Sequence, residues 1–235
     1  MVTTITRMAE ALDMGRQAPV ALLRLMAWLS PAFPVGAFAY SAGLEQAASD
    51  GLVCHQADLE AWIAASIDHG ALRSDAIFLA EAHRSAGEAA RLDELSLLAL
   101  SLAGSKERHA ELRNLGGAFL TAARAWGDQA LDASAQETPY PVAIGAVAGR
   151  HGVSAEWAIL AFLQAYVSHI GSVAIRLGLI GQSAALVLQA GFERRIADAA
   201  ARLACSSLDD LGTATVIAEI ASLRHETHEP RLFRS

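Results

Sequence analysis

Between Glu156 and Arg176 the chain carries no formally charged residue. A stretch that long and that apolar has to be surrounded, either by other protein or by lipid. Leu160, Leu163, Val167, Ile170, Val173 and Leu177 recur at helical spacing along one side, and Ala158, Ala161, Ala165, Ser168 and Ser172 along another. Two faces of different size predict a central helix with others packed round it, backbones approaching closely on the small side. Gln164, Ser168, His169 and Ser172 fall inside the run, and no aromatic belt or basic cluster flanks it. That content places the helix in a protein core rather than a membrane.

The rest of the chain supports one core. Hydrophobic residues make up 53% of the 235 and charged ones only 18%, against about 25% charged in ordinary domains. The formal net charge of -7 argues against general nucleic-acid binding, which needs a basic face. Cys54 and Cys205 are the two cysteines and stand far apart. They offer no metal or redox spacing, so a reducing, cytoplasmic compartment is expected. Glu10 and Asp13 interrupt the N-terminus, which therefore does not read as a secretory signal.

Helical patterns recur elsewhere, and no stretch sustains period-2 alternation. Ile5, Met8 and Leu12 give residues 1–19 a weak helical spacing, and this part reads as a flexible N-terminal segment. Leu22, Leu25, Met26 and Leu29 form a helix face that Ser30-Pro31 ends. Two prolines and a glycine then shape the loop 30–41, anchored by Phe33, Phe38 and Tyr40, and Ser41 reads as the cap of a short helix carrying Glu45. Two helices are expected over 55–86 with a joint at Gly70, another over 92–103, and a loop over 127–138. Pro139 and Pro141 open a helix that stops near Gly152, and Ser154 caps the long run. The run 106–114 is the densest in charge and reads as a solvated helix face, with Leu115, Phe119, Leu120 and Trp126 behind it. The expectation is one all-α domain over 20–223, a multi-helix bundle built round the long apolar helix.

Residues 224–235 are set apart as a tail. Arg224, Arg231 and Arg234 alternate with His225, Glu226, His228, Leu232 and Phe233. Guanidinium groups beside exposed apolar side chains have the chemistry of a docking segment, since arginine forms forked bonds to carboxylates. A solvated tail with a stray Phe is the plainer alternative. Deleting 224–235 is expected to spare the helical fold and abolish partner binding.

Catalytic motifs do not assemble. His225-Glu226-Thr227-His228 is one residue short of the His-Glu-x-x-His zinc helix. His225 and His228 are weak metal candidates, and the rival reading is a helical nickel-binding protein or metalloenzyme that uses them. No phosphate loop, dinucleotide fingerprint, nucleophile elbow or Glu-x-x-His di-iron pair occurs. His169 reads as a hydrogen-bonded core histidine, while Arg176 has to reach a carboxylate, carbonyls or an interface. No cofactor is expected.

Four stretches together resemble the UreF family of urease accessory proteins. They are residues 30–45 (Ser30-Pro31 through Gly43-Leu44-Glu45), Arg176-Leu177-Gly178 with Gly181-Gln182, Leu208-Asp209-Asp210-Leu211-Gly212, and the ending Arg224-His225-Glu226-Thr227 with Arg231-Leu232-Phe233-Arg234-Ser235. Order and spacing fit from about Leu22 to Ser235. His228-Glu229-Pro230 departs from the polar-aromatic-Ser stretch usual there, and 106–116 follows the Arg/Glu-rich pattern loosely. The resemblance implies an all-helical, dimeric, non-catalytic factor that binds UreD (also called UreH) and recruits the GTPase UreG to the urease apoprotein for nickel insertion. It implies partner contacts at Pro34, Gly36, Tyr40, Glu45, Arg176, Arg224, His225, Glu226, Arg231, Leu232, Phe233 and Arg234. The tail and N-terminal segment would meet UreD/UreH, and the loop and Arg176 would lie near the dimer or the UreG-facing surface.

Overall fold

The computed structural model describes residues 18–127 and 137–235. Residues 1–17, with the expected N-terminal spacing, and most of the expected 127–138 loop lie outside that range. Among the described residues every regular element is helical.

The chain opens with α1 (Ala18–Trp28). A 3-10 turn at Ala37–Ala39 leads to the short α2 (Leu44–Ser49), and then to α3 (Gln56–His69) and α4 (Ala71–Arg84). Gly70 is the joint between these two, as its spacing suggested. α5 (Ala89–Ser101) and α6 (Lys106–Ala123) follow, then α7 (Tyr140–Arg150), α8 (Ala155–Arg176), α9 (Gln182–Leu203) and α10 (Val216–His225). The caps follow from sequence. The hydroxyl of Ser154 accepts from Trp157 N, and Ser105 does the same for Arg108 N. Ser207 and Asp210 form a capping box on the 3-10 turn Leu208–Asp210.

α4 and α7 pack most intimately. Every α7 residue from Pro141 to Ala148 is buried, as are Ala76 to Ala80 on α4. Gly145 and Gly149, four apart on one face of α7, permit it. A Cβ on Gly145 would stand 2.2 Å from Leu79 O, and one on Gly149 2.6 Å from His83 O. α8 lies against this pair, and α9 packs along α8. The all-helical single domain is therefore observed.

Three local expectations change. α1 buries Ala21, Leu25 and Trp28, while Leu22 and Met26 are exposed, so its core stripe is rotated from the expected one. Among the described residues the small side of α8 is only partly closed: Ala158 is buried, while Ala161, Ala165, Ser168 and Ser172 line a groove. Finally, residues 106–114 are not simply a solvated face. Arg108 donates to Glu111 at 2.9 Å and pairs with Asp75, with all three side chains largely buried. Burial disfavours the Arg108 charge, but Asp75 and Glu111 overcome this and raise its pKa. Burial also pushes the Asp75 carboxyl up, and Arg108 only partly offsets it.

Candidate partner-docking site

Positive φ at Gly36 (79°) and Gly43 (79°) turns the loop 30–43 twice, a backbone region suited to glycine. The second turn brings α2 against α10: a Cβ on Gly43 would meet Ser222 N at 3.4 Å. Glu45 thereby enters the interior, only 5% exposed. Its Oε1 accepts from Leu232 N at 2.7 Å, and its Oε2 accepts from Phe233 N at 3.0 Å and His225 Nε2 at 2.9 Å. Burial alone would raise the Glu45 carboxyl. The bonds from His225, Leu232 and Phe233 outweigh it and hold the carboxyl below its ordinary value.

His225 is fully buried, and its Nδ1 reaches Glu107 Oε2 at 2.7 Å. Both ring nitrogens thus face carboxylate oxygens. His228 stacks on His225 with centroids 5.7 Å apart. Neither His225 nitrogen is free for a metal here, and among the described residues no cluster of three or more His, Cys, Asp or Glu could hold one.

The segment after α10 is folded onto its own chain. The cut at 224 falls inside α10, and Phe233 belongs to the hydrophobic core at 3% exposure. Arg176 sits with its guanidinium carbon 3.9 Å from the centre of the Phe233 ring and donates to Phe38 O at 2.7 Å. Burial lowers the Arg176 pKa, against the raising influence of Glu45. Arg234 N donates to Ala39 O, and Ser41 N to Ser235 O, both at 2.7 Å. Gly43 rather than Ser41 is the N-cap residue of α2, but the Ser41 hydroxyl still accepts from Glu45 N in its first turn at 3.3 Å and also donates to Ser235 O.

The remaining expected residues fall into two groups. Arg224 pairs with Asp50 at 2.7 Å, Glu226 accepts from Lys106 N at 2.8 Å, and Arg231 pairs with Glu107 at 2.5 Å. Tyr40 is buried: its hydroxyl accepts from Asn114 at 3.1 Å, and its carbonyl accepts from His169 Nε2 at 2.8 Å. Burial lowers the His169 pKa against that bond. With Glu45, Arg176, His225, Leu232, Phe233 and Arg234, these residues form one assembly. Pro34 and Gly36 lie apart from it, in a groove of about 880 Å³ between α1, the loop and α8, walled by Leu22, Met26, Trp157 and Leu160.

Sequence reasoning missed Glu107, Ser105 and Asn114. Each meets its partner across 74 to 118 positions of chain, a separation that local periodicity does not register.

The UreF profile matches residues 53–193. A urease accessory protein UreF from Rhizobium johnstonii is 56% identical over 215 residues, covering 92% of this chain and 96% of the relative. The chain belongs to the UreF family. A UreF from Agrobacterium fabrum is 54% identical and one named UreF 1 from Brucella canis 49%, each over 92% of this chain. The UreF profile spans α3 to the middle of α9, so α2, α10 and residues 226–235 lie outside the matched stretch. The full-length relatives extend beyond it.

Proposed function

We propose that this protein is a non-catalytic scaffold for urease maturation. With UreD/UreH it recruits the GTPase UreG to the urease apoprotein for nickel insertion, and it modulates the GTPase. The observation carrying this reading is the match to urease accessory proteins over 92% of the chain. The chemistry agrees: the charged and imidazole groups of the candidate site are engaged with one another, which suits a shaped surface more than a reaction centre.

Two surfaces have docking character. The groove holding Pro34 and Gly36 carries exposed Leu22, Met26, Phe38 and Trp157. Exposed apolar area of this kind marks interaction sites, and a second copy of the chain is its proposed occupant. The other is the surface of the segment after α10, where Leu232 is 71% exposed beside Arg231 and Arg234. It offers apolar area and guanidinium groups to UreD/UreH or UreG. The reading places the protein in the cytoplasm. α8 is the one helix among the described residues long and apolar enough to cross a membrane, and half of its apolar window is buried in the fold.

The decisive experiment is light scattering after size exclusion, on the protein alone and mixed with its cognate UreD/UreH protein. Because Phe233 and His225 are buried, the informative variant is Leu232→Ala with Arg234→Ala rather than a deletion of 224–235. A stable mixed complex, weakened by that pair of changes at unaltered helicity, is expected. Absence of any complex would overturn the scaffold reading.

A further inference from the structure

The segment 216–235 is tied to 37–50 more extensively than to the rest of the protein. Ser41, Glu45, Asp50 and the Ala39 carbonyl all bond to it, and Gly43 lets α10 approach α2 backbone to backbone. Against the body, α10 and the following residues bond chiefly to the first turn of α6. Ser222 meets Ser105 at 2.8 Å, Glu226 accepts from Lys106 N, and Glu107 holds both His225 and Arg231. Tyr40 and Arg176 supply further polar links, while Leu44, Ala47 and Phe233 are the larger apolar contributions.

Under this seam lies a cavity of about 180 Å³. Ala42, Ala218, Ser222 and Ser235 form one wall, and Asp75, Arg108, Glu111 and His169 stand on the other. The Ser235 hydroxyl is buried and has no hydrogen-bond partner among the described residues. The outer surface of α10 is inverted for a surface helix: Val216, Ile217, Ile220 and Leu223 are exposed, while Ala221 and His225 point inward.

We propose that residues 37–50 and 216–235 form one cooperative cap, latched at the first turn of α6, whose opening as a unit uncovers the cavity holding Asp75, Arg108 and Glu111. Glu45 is the internal tie of the cap, and Glu107 is the latch. Gly51 (φ 72°) and Gly212 (φ 149°) stand where the chain leaves and re-enters it and serve as hinges. Elements held by polar seams open at lower free energy than a packed apolar core, and those that open together exchange together.

The test is hydrogen–deuterium exchange on the full chain. In the wild type, amides of 44–49 and 216–225 should exchange at a common rate, faster than those of α4 and α7. Glu107→Gln should speed both by the same factor, about tenfold for a charged hydrogen bond, and leave α4 and α7 unchanged. A second variant needs no weakened latch. Ser105→Cys with Ser222→Cys, the native Cys54 and Cys205 replaced by Ser, staples the seam. Oxidation should slow both cap segments, and reduction should restore them. Thiol labelling of Ser66→Cys, on the cavity wall, in the background lacking Cys54 and Cys205, should accelerate with Glu107→Gln. Opening of 216–225 while 44–49 stays as protected as α4 would overturn the cap, as would identical exchange in the oxidised and reduced staple. An unchanged labelling rate would overturn its control of the cavity.

Discussion

Two seams in this protein join helices in opposite ways. Where α4 meets α7, shape does everything: glycines and alanines bring backbones together, and the faces are apolar and almost wholly buried. Where α10 meets α2 and α6, the contact runs through carboxylates, an imidazole and backbone amides, with a few apolar anchors in Leu44, Ala47 and Phe233. The first kind of seam cannot loosen without opening voids that cost contact throughout. The second can exchange its bonds for water or for a partner, so it is the more adjustable of the two.

The contrast breaks most violently at Gly145. A side chain there would drive into the Leu79 carbonyl, 2.2 Å from the Cβ position, and α4 cannot retreat because its other faces are packed. Gly145→Leu should cost about 3 kcal/mol or more, read as a fall in the urea midpoint. An unchanged midpoint would show that the α4–α7 seam yields.

Glu45 is the corresponding test of the polar seam. Glu45→Ala removes the acceptor of three hydrogen bonds and leaves a buried imidazole with one partner. The expected loss is about 3 kcal/mol, but its location distinguishes it from Gly145→Leu. Exchange protection should fall in 216–235 while the amides of α4 and α7 keep theirs at low denaturant. Equal loss everywhere would mean that the polar seam is as integral as the apolar one.

These two regions also differ in how far the sequence disclosed them. The apolar body was legible. Periodicity placed the helices, Gly70 marked a joint, and Ser154 was a recognisable cap, because these signals act within a few residues. His169 and Arg176 were legible in kind, since a polar group among apolar neighbours has to find a partner; Tyr40 O and Phe38 O are those partners. The polar seam was misread. Glu107 and Glu111 stand among charges of both signs, and such a run reads as solvated unless its distant partners are known. Phe233 next to exposed Leu232 looked like docking area, yet the backbone amides of both are held by Glu45. Local pattern reports which residues share a face, and what covers that face is decided by topology.

Acid should separate the seams in a third way. The depressed Glu45 carboxyl contributes stability that is present above its ordinary pKa, near 4.5, and disappears as pH falls through the lower folded value. The raised Asp75 works oppositely: its folded form favours the proton, so acidification from neutrality relieves a destabilising burial before Glu45 is titrated. The body should therefore hold its stability through mild acid, while the 216–235 segment loosens below about pH 4. A pH series of amide exchange reads both, and loosening of 216–235 before any change near Asp75 would contradict the assigned shifts.

The smallest effect falls at the edge of the polar seam. Ser105 caps α6 through Arg108 N and also meets the Ser222 hydroxyl, so Ser105→Ala removes both roles, while Ser222→Ala removes only the second. The cap is worth about 1 kcal/mol and a neutral hydroxyl pair about 1 kcal/mol or less. Ser105→Ala should accordingly lower stability more than Ser222→Ala, and the double change should cost less than the sum of the two, because both single changes break the same hydroxyl contact. Strict additivity in denaturant titrations of the three variants would mean that the Ser105–Ser222 contact contributes nothing. The hold of α10 on α6 would then rest on Glu107 and on Glu226 bonded to Lys106 N.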